Sequence, residues 1–130
     1  MGRFVTCGEI MMRLNPEGYG RFAQAARFEA SYAGAEANVA VSLANLDASF
    51  VTKLPANPLG EAARNAVRAF GVDTASIAWG GPRLGLYFVE KGASQRASKV
   101  VYDRAGSSLA LATRADFDWA ILLFSCRRAV

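Results

Sequence analysis

Two strand-like runs, each preceding an alanine-rich segment of helical period, constrain the fold of this chain more than any other feature. FVTCGEIMMRL at 4–14 precedes AGAEANVAVSLANL at 33–46, and FVTKL at 50–54 precedes NPLGEAARNAVRAFG at 57–71. The first run reads as a buried strand kinked at Gly8, and Asn15-Pro16-Glu17-Gly18 is a turn by composition. The spacing predicts a helix over 35–46. Val39, Leu43 and Leu46 form one apolar stripe, Ala37, Ala40, Val41 and Ala44 a second of small residues, and Asn38, Ser42 and Asn45 a narrow polar edge. Such a helix is expected to be mostly buried, with backbones packed closely against its small face. Asn57 and Pro58 start the next helix, because the asparagine side chain caps it and proline fits its first position. Leu59, Ala62, Ala63, Ala66, Val67 and Phe70 keep the helical period until Gly71 stops it.

Later in the chain LGLYFVEK at 84–91 and SKVVYDR at 98–104 read as strands, joined through the polar link Gly92 to Arg96 as a hairpin. RFAQAARFEASY at 21–32 fits a helix by its alanines and two short strands by its aromatics. The order strand, helix, strand, helix, then extended segments argues for an α/β sheet with a β appendage. At 130 residues, 52% of them hydrophobic and 20% charged, the chain fits one globular domain with a real core.

Several function classes fall away at once. The chain has no histidine, which removes Ser-His-Asp and Cys-His mechanisms and most zinc chemistry. Cys7 and Cys126 make no disulfide framework or metal spacing, and Cys7, inside an apolar run, reads as a small buried residue. No metal site is expected. The net charge of +4 is scattered, with Arg127-Arg128 the only adjacent basic pair and no aromatics interleaved among basic residues, so no nucleic-acid partner is expected. No apolar segment approaches the ~20 residues of a membrane helix. Glu9 and Arg13 interrupt the N-terminal run where a signal peptide must be apolar, so the expected location is the cytoplasm. GYGRFA at 18–23 matches the loose dinucleotide pattern GxGxxA, but a proline-containing turn precedes it and no clear helix follows, so these are read as turn glycines.

Two places remain as binding candidates. Gly34 stands at the head of the first helix, where free N–H groups and a partial positive charge suit a ligand, and Asn38 follows one turn in. An ordinary loop glycine and a solvated polar face account for the same residues equally well. Tyr102 and Arg104, two apart on a strand, share one side of it and would grip a carboxylate by a bidentate fork plus a hydroxyl, with Tyr87 on the neighbouring strand. An exposed face with an ordinary ion pair is the competing account.

Taken together, FVTCGEIMMRLNP, YAGAEANVAVSLANL, TKLPANPLGEAARNAVRAFGVDT and RLGLYFVEKGASQRASKVVYDRAGS resemble the N-terminal part of ribokinase-like (pfkB) carbohydrate kinases, and within that family the 2-keto-3-deoxygluconate kinases. The match runs in order from about Phe4 to about Trp119. The resemblance implies a three-layer α/β/α core and a small β-sheet lid, with the lid in the stretches around 12–33 and 84–104. It implies that Gly34, Ala35, Glu36, Ala37 and Asn38 hold sugar hydroxyls at the mouth of the first helix, and that Tyr87, Tyr102, Asp103 and Arg104 complete the substrate site. The implied activity is ATP-dependent phosphorylation of 2-keto-3-deoxygluconate. A fructokinase or ribokinase, or a non-catalytic sugar-binding or dimerisation module, is the alternative. The family's lids often pair between subunits, which implies a homo-oligomer through the β lid.

This chain departs from the family pattern in two ways. The signature begins Gly-Gly, whereas Ala33 precedes Gly34 here. The Gly-Ala-Gly-Asp motif, whose glycines form an anion hole and whose aspartate deprotonates the attacking hydroxyl, does not occur in these 130 residues. By the resemblance, the groups binding ATP and Mg²⁺ belong to the same missing part, so no catalytic residue is assigned. After Phe117-Asp118-Trp119 the pattern fades, and AILLFSCRRAV stands where a core strand is expected. A premature stop, after a frameshift or in a partial gene, is one explanation, since a chain cut by design would keep native sequence to its last residue.

Overall fold

The computed structural model describes residues 4–127, with side chains as far as Phe124. The parallel pair β1 (Phe4–Cys7) and β4 (Ala48–Val51) pairs Phe4 with Ala48 and Cys7 with Val51. Beyond Thr52 the chain continues as β5 (Lys53–Leu54), parallel to β6 (Ala78–Trp79). A second sheet has the order β3-β2-β7-β8, built from β2 (Met11–Pro16), β3 (Phe28–Ala33), β7 (Leu86–Glu90) and β8 (Lys99–Asp103). Its β2–β7 pair is parallel, and β2–β3 and β7–β8 are antiparallel, so the expected hairpin forms.

The core lies on β4, where Phe50 and Val51 are fully buried, continued by Leu54, Val67, Val72, Ile77 and Ile10. Two helices pack on it, α1 (Ala35–Ser42) and α2 (Pro58–Arg68). In α2 the Asn57 side chain accepts from the Gly60 N–H at 3.0 Å, Pro58 occupies the first turn, and Gly71 leaves the helix at φ +85°. Gly60 is glycine because an added Cβ would strike the carbonyl of Pro55. The buried residues of α2 are Gly60, Ala63 and Val67, while Leu59 and Phe70, expected on the same apolar face, are exposed.

The first helix differs from its expected form. It ends at Ser42, and 44–46 form a separate 3-10 turn. Only Ala37 and Ala40 are buried in it, whereas Val39 is 49% exposed and Leu46, beyond its end, 55%. The small stripe faces the sheet because a short side chain lets helix and strand backbones approach closely; the bulky stripe points away.

Other boundaries moved for identifiable reasons. The run 4–14 is two strands in different sheets, with 8–10 crossing between them, so Gly8 marks a break and not a kink. Asn15 and Pro16 extend β2, leaving the turn to Glu17 and Gly18 (φ +62°). The ambiguous stretch at 21–32 becomes one 3-10 turn at Phe22–Gln24 and the single strand β3. Phe22 and Phe28 pack edge-on against Phe88, which favours the extended form. The run 50–54 is interrupted at Thr52.

The expected C-terminal strand is a helix, α3 (Trp119–Arg127). Asp118 caps it, accepting from the Ile121 N–H at 3.2 Å, and its Leu and Ala residues favour helix once a cap is present. Leu122 is buried on this helix, which packs against β1. Cys7 is exposed at the end of β1, contrary to the buried reading, because β4 is the only strand paired with β1 among the described residues. The Cys126 side chain and Arg128 of the basic pair lie outside what is described. Among the described residues, no helix is long and apolar enough to cross a membrane.

Candidate functional site

The two sheets meet where the chain crosses between them, at Gly8–Ile10, Gly34, Leu84–Gly85 and Arg104–Ser107. Close approach dictates the residues there. At Gly34 an added Cβ would strike the backbone carbonyl of Glu9, so the glycine serves contact between two chain segments; its φ of −171° is extended and imposes nothing. At Gly85 a Cβ would stand 2.7 Å from the Glu9 carboxylate. Ala33, in place of the first signature glycine, closes β3 opposite Met11 in a strand position that accommodates a side chain.

A cavity of about 310 Å³ opens at this junction. Ala35 and Glu36 line it from the first turn of α1, Tyr102 and Arg104 from the end of β8, and Glu9 and Met11 from the crossing segment. Glu36 lies over Gly8, in the space a Cβ there would need. No side chain caps α1, so the backbone amides of its first turn are left for another acceptor.

The remaining expected residues fall into three groups. Gly34 is buried immediately before Ala35, and Asn38 is exposed one turn further along α1. Tyr87 lies beside Tyr102 as its strand partner, the rings stacked at 5.7 Å and 24°. Burial pushes the Tyr87 hydroxyl up from its ordinary value, Arg13 pulls it down, and Tyr102 adds to the rise. Ala37 faces the core, and Asp103 points to the opposite side of β8 from Tyr102 and Arg104. There Asp103 accepts from Arg83 at 3.0 Å, an ordinary ion pair. The structure therefore brings Ala35, Glu36, Tyr102 and Arg104 to the cavity, with Gly34, Asn38 and Tyr87 adjoining it and Ala37 and Asp103 turned away.

Glu9 was missed. It is 7% exposed, its Oε2 is 2.7 Å from Arg104 Nε, and its Oε1 accepts from the Ser107 hydroxyl at 2.6 Å. The available signal was a charge inside an otherwise apolar run, read only as an interruption.

The cavity has polarity. Arg104 and Tyr102 offer donors on one side, and the first turn of α1 offers its backbone amides and the Glu36 carboxylate on the other, which suits a polyhydroxy compound carrying one negative group. A nucleotide triphosphate fits poorly, because Glu9 and Glu36 would face its charges and Arg104 is the one basic group in the lining. Among the described residues, no three His, Cys, Asp or Glu side chains cluster to hold a metal ion.

Residues 1–123 match the sequence profile of the pfkB family carbohydrate kinases. The chain belongs to this family. It is similar to a 2-dehydro-3-deoxygalactonokinase of Haloferax volcanii, 39% identical over 111 residues, which are 83% of this chain and 35% of that protein. Its fold matches the crystal structure of a 2-dehydro-3-deoxygluconokinase from Thermotoga maritima with a TM-score of 0.91 and 56% identity, over 95% of this chain and 38% of that one. It also matches a sugar kinase from Pyrococcus horikoshii solved in complex with ATP, with a TM-score of 0.78 and 27% identity, over 92% of this chain and 39% of that one. The mixed α/β fold is thus that of the ribokinase-like pfkB kinases, and the chain spans little more than a third of the length of these relatives. These relatives are kinases acting on sugars, and the family is one of phosphotransferases.

Proposed function

We propose that this chain forms the sugar-acid side of a kinase that phosphorylates 2-keto-3-deoxygluconate with ATP. The observation that carries the reading is Arg104 beside Tyr102 at the rim of a cavity whose other wall is the uncapped first turn of α1. The Arg104 guanidinium takes the substrate carboxylate through parallel N–H bonds, with the Tyr102 hydroxyl beside it. Gly34, Ala35 and Asn38 present backbone amides and a side-chain amide to sugar oxygens, and Glu36 accepts from a hydroxyl at the end away from the carboxylate. The names of the Thermotoga and Haloferax relatives support a 3-deoxy keto acid over a neutral hexose.

In this reading the sheet formed by 11–33 and 86–103 is the lid, and 1–130 is the N-terminal part of one kinase domain. ATP supplies the phosphoryl group, and its residues and those for Mg²⁺ lie outside this chain, whose own cavity does not suit a polyanion. The enzyme would act in the cytoplasm, where ATP is available. Phe28 and Val101, both exposed on the lid face away from Tyr102, are the contact proposed for a second copy of the chain.

Equilibrium dialysis tests the substrate class. The chain should bind 2-keto-3-deoxygluconate about tenfold or more tighter than the 3-deoxy ketose in which an alcohol replaces the carboxylate, the discrimination expected of a charge-assisted pair. Equal binding of the two would favour the neutral-sugar alternative, a fructokinase or ribokinase.

A further inference from the structure

Glu9 is a buried carboxylate that the proposed sugar contacts leave unused. It sits on the segment crossing from β1 to β2, its backbone held against Gly34 and its side chain in the space left by Gly85. One oxygen accepts from the Ser107 hydroxyl at 2.6 Å, and that hydroxyl accepts in turn from the Ala110 N–H at 3.2 Å, which fixes the carboxylate plane. The other oxygen is 2.7 Å from Nε of Arg104. The pair is lopsided: the Glu9 side chain is 7% exposed and that of Arg104 54%. Among the described residues, the two terminal nitrogens of Arg104 have no protein acceptor. A guanidinium offers one edge through Nε and another through its two terminal nitrogens. Glu9 occupies the first edge and leaves the second free at the cavity.

We propose that Glu9 is a positioning residue that orients Arg104 so that its free edge meets the substrate carboxylate in bidentate register. This rests on the sugar-acid reading of the cavity. Through Ser107, the same carboxylate ties the chain leaving β8 to the segment that crosses from β1 to β2.

The test combines ligand affinity with the NMR signal of the Arg104 Nε–H. Glu9→Ala should weaken binding of 2-keto-3-deoxygluconate about tenfold, through loss of the ion pair that holds Arg104 in place, and leave the neutral analogue nearly unchanged. Glu9→Gln, which keeps an oxygen beside Nε, should recover part of the loss. In an Arg104→Ala background, Glu9→Ala should add nothing, because it acts only through Arg104. Additive losses, or equal losses toward both ligands, would overturn the proposal in favour of a purely structural carboxylate. Should Glu9→Ala not fold, Ser107→Ala carries the test, with a smaller loss confined to the acid expected and no loss overturning it. Should the unaltered chain fail to prefer the acid, the sugar-acid reading fails by itself, and the NMR arm decides the rest. Faster exchange of the Arg104 Nε–H with water in Glu9→Ala, or in Ser107→Ala should Glu9→Ala not fold, supports the orientation, and unchanged exchange refutes it.

Discussion

At the scale of single residues, the junction between the sheets is governed by what fits. Gly34 has the tightest fit, because any side chain there would collide with the backbone carbonyl of Glu9, which cannot turn aside as a side chain can. Gly34→Ala should therefore cost about 2–3 kcal/mol, as overpacking of a close backbone contact does. In a chain of this size that lowers the melting temperature by roughly 10 °C. A melt within a few degrees of the unaltered chain would mean that the 8–10 segment moves freely. The sequence marked Gly34 but not the reason for it: a glycine before a helix looks the same whether a ligand or another piece of chain comes close. Glu9 was hidden for a related cause, since its partners Arg104 and Ser107 lie far along the chain.

At the scale of elements, α1 shows how an apolar stripe can mislead. Val39 points outward and Ala37 and Ala40 face the sheet, so substitutions on the two faces should have opposite weight. Val39→Ser should change stability by no more than about 0.5 kcal/mol and reduce binding of a hydrophobic dye. Ala40→Leu, at a fully buried position, should cost about 1–3 kcal/mol in chemical denaturation. The reverse ranking would restore the face expected from periodicity.

The 3-10 turn at Arg114–Asp116 is fastened to β5 by Lys53, whose ammonium lies 2.8 Å from Asp116. That hydrogen bond, followed by the bond from the Thr113 N–H, holds the Asp116 carboxyl below its ordinary value. A carboxyl depressed in the folded state stabilises fully above its unfolded pKa of about 3.9, and the benefit fades as pH falls through the folded value. Stability should thus decline on acidification below about pH 4, and Asp116→Asn should flatten that decline. Identical acid profiles for the two chains would show that the Lys53 contact contributes nothing in solution.

At the scale of the whole molecule, the chain spans little more than a third of the length of the kinases it matches. Phosphoryl transfer depends on positioning and neutralisation of charge by groups around the phosphates. The described residues offer no metal cluster, and Gly-Ala-Gly-Asp does not occur. The purified chain, supplied with ATP, Mg²⁺ and 2-keto-3-deoxygluconate, should form no phosphorylated product above a protein-free control. Turnover above that control would mean that residues within these 130 can transfer phosphate.

The sequence by itself determined what depends on neighbours in the chain. Asn57, Pro58 and Gly71 bracketed α2, the polar link at 92–96 joined β7 to β8, and the ordered motifs from Phe4 to Trp119 fixed the family. Tyr102 and Arg104 were legible as a pair because a period of two puts them on one side of any strand. Only the tertiary structure decided what depends on residues distant in sequence. It split 4–14 between two sheets, chose the alanine face of α1, and closed Glu9 on Arg104 and Asp103 on Arg83. Periodicity states that a segment has an apolar or polar side. Which side meets the core, and which charge closes on which, depends on the close approach of segments that the chain order alone does not bring together.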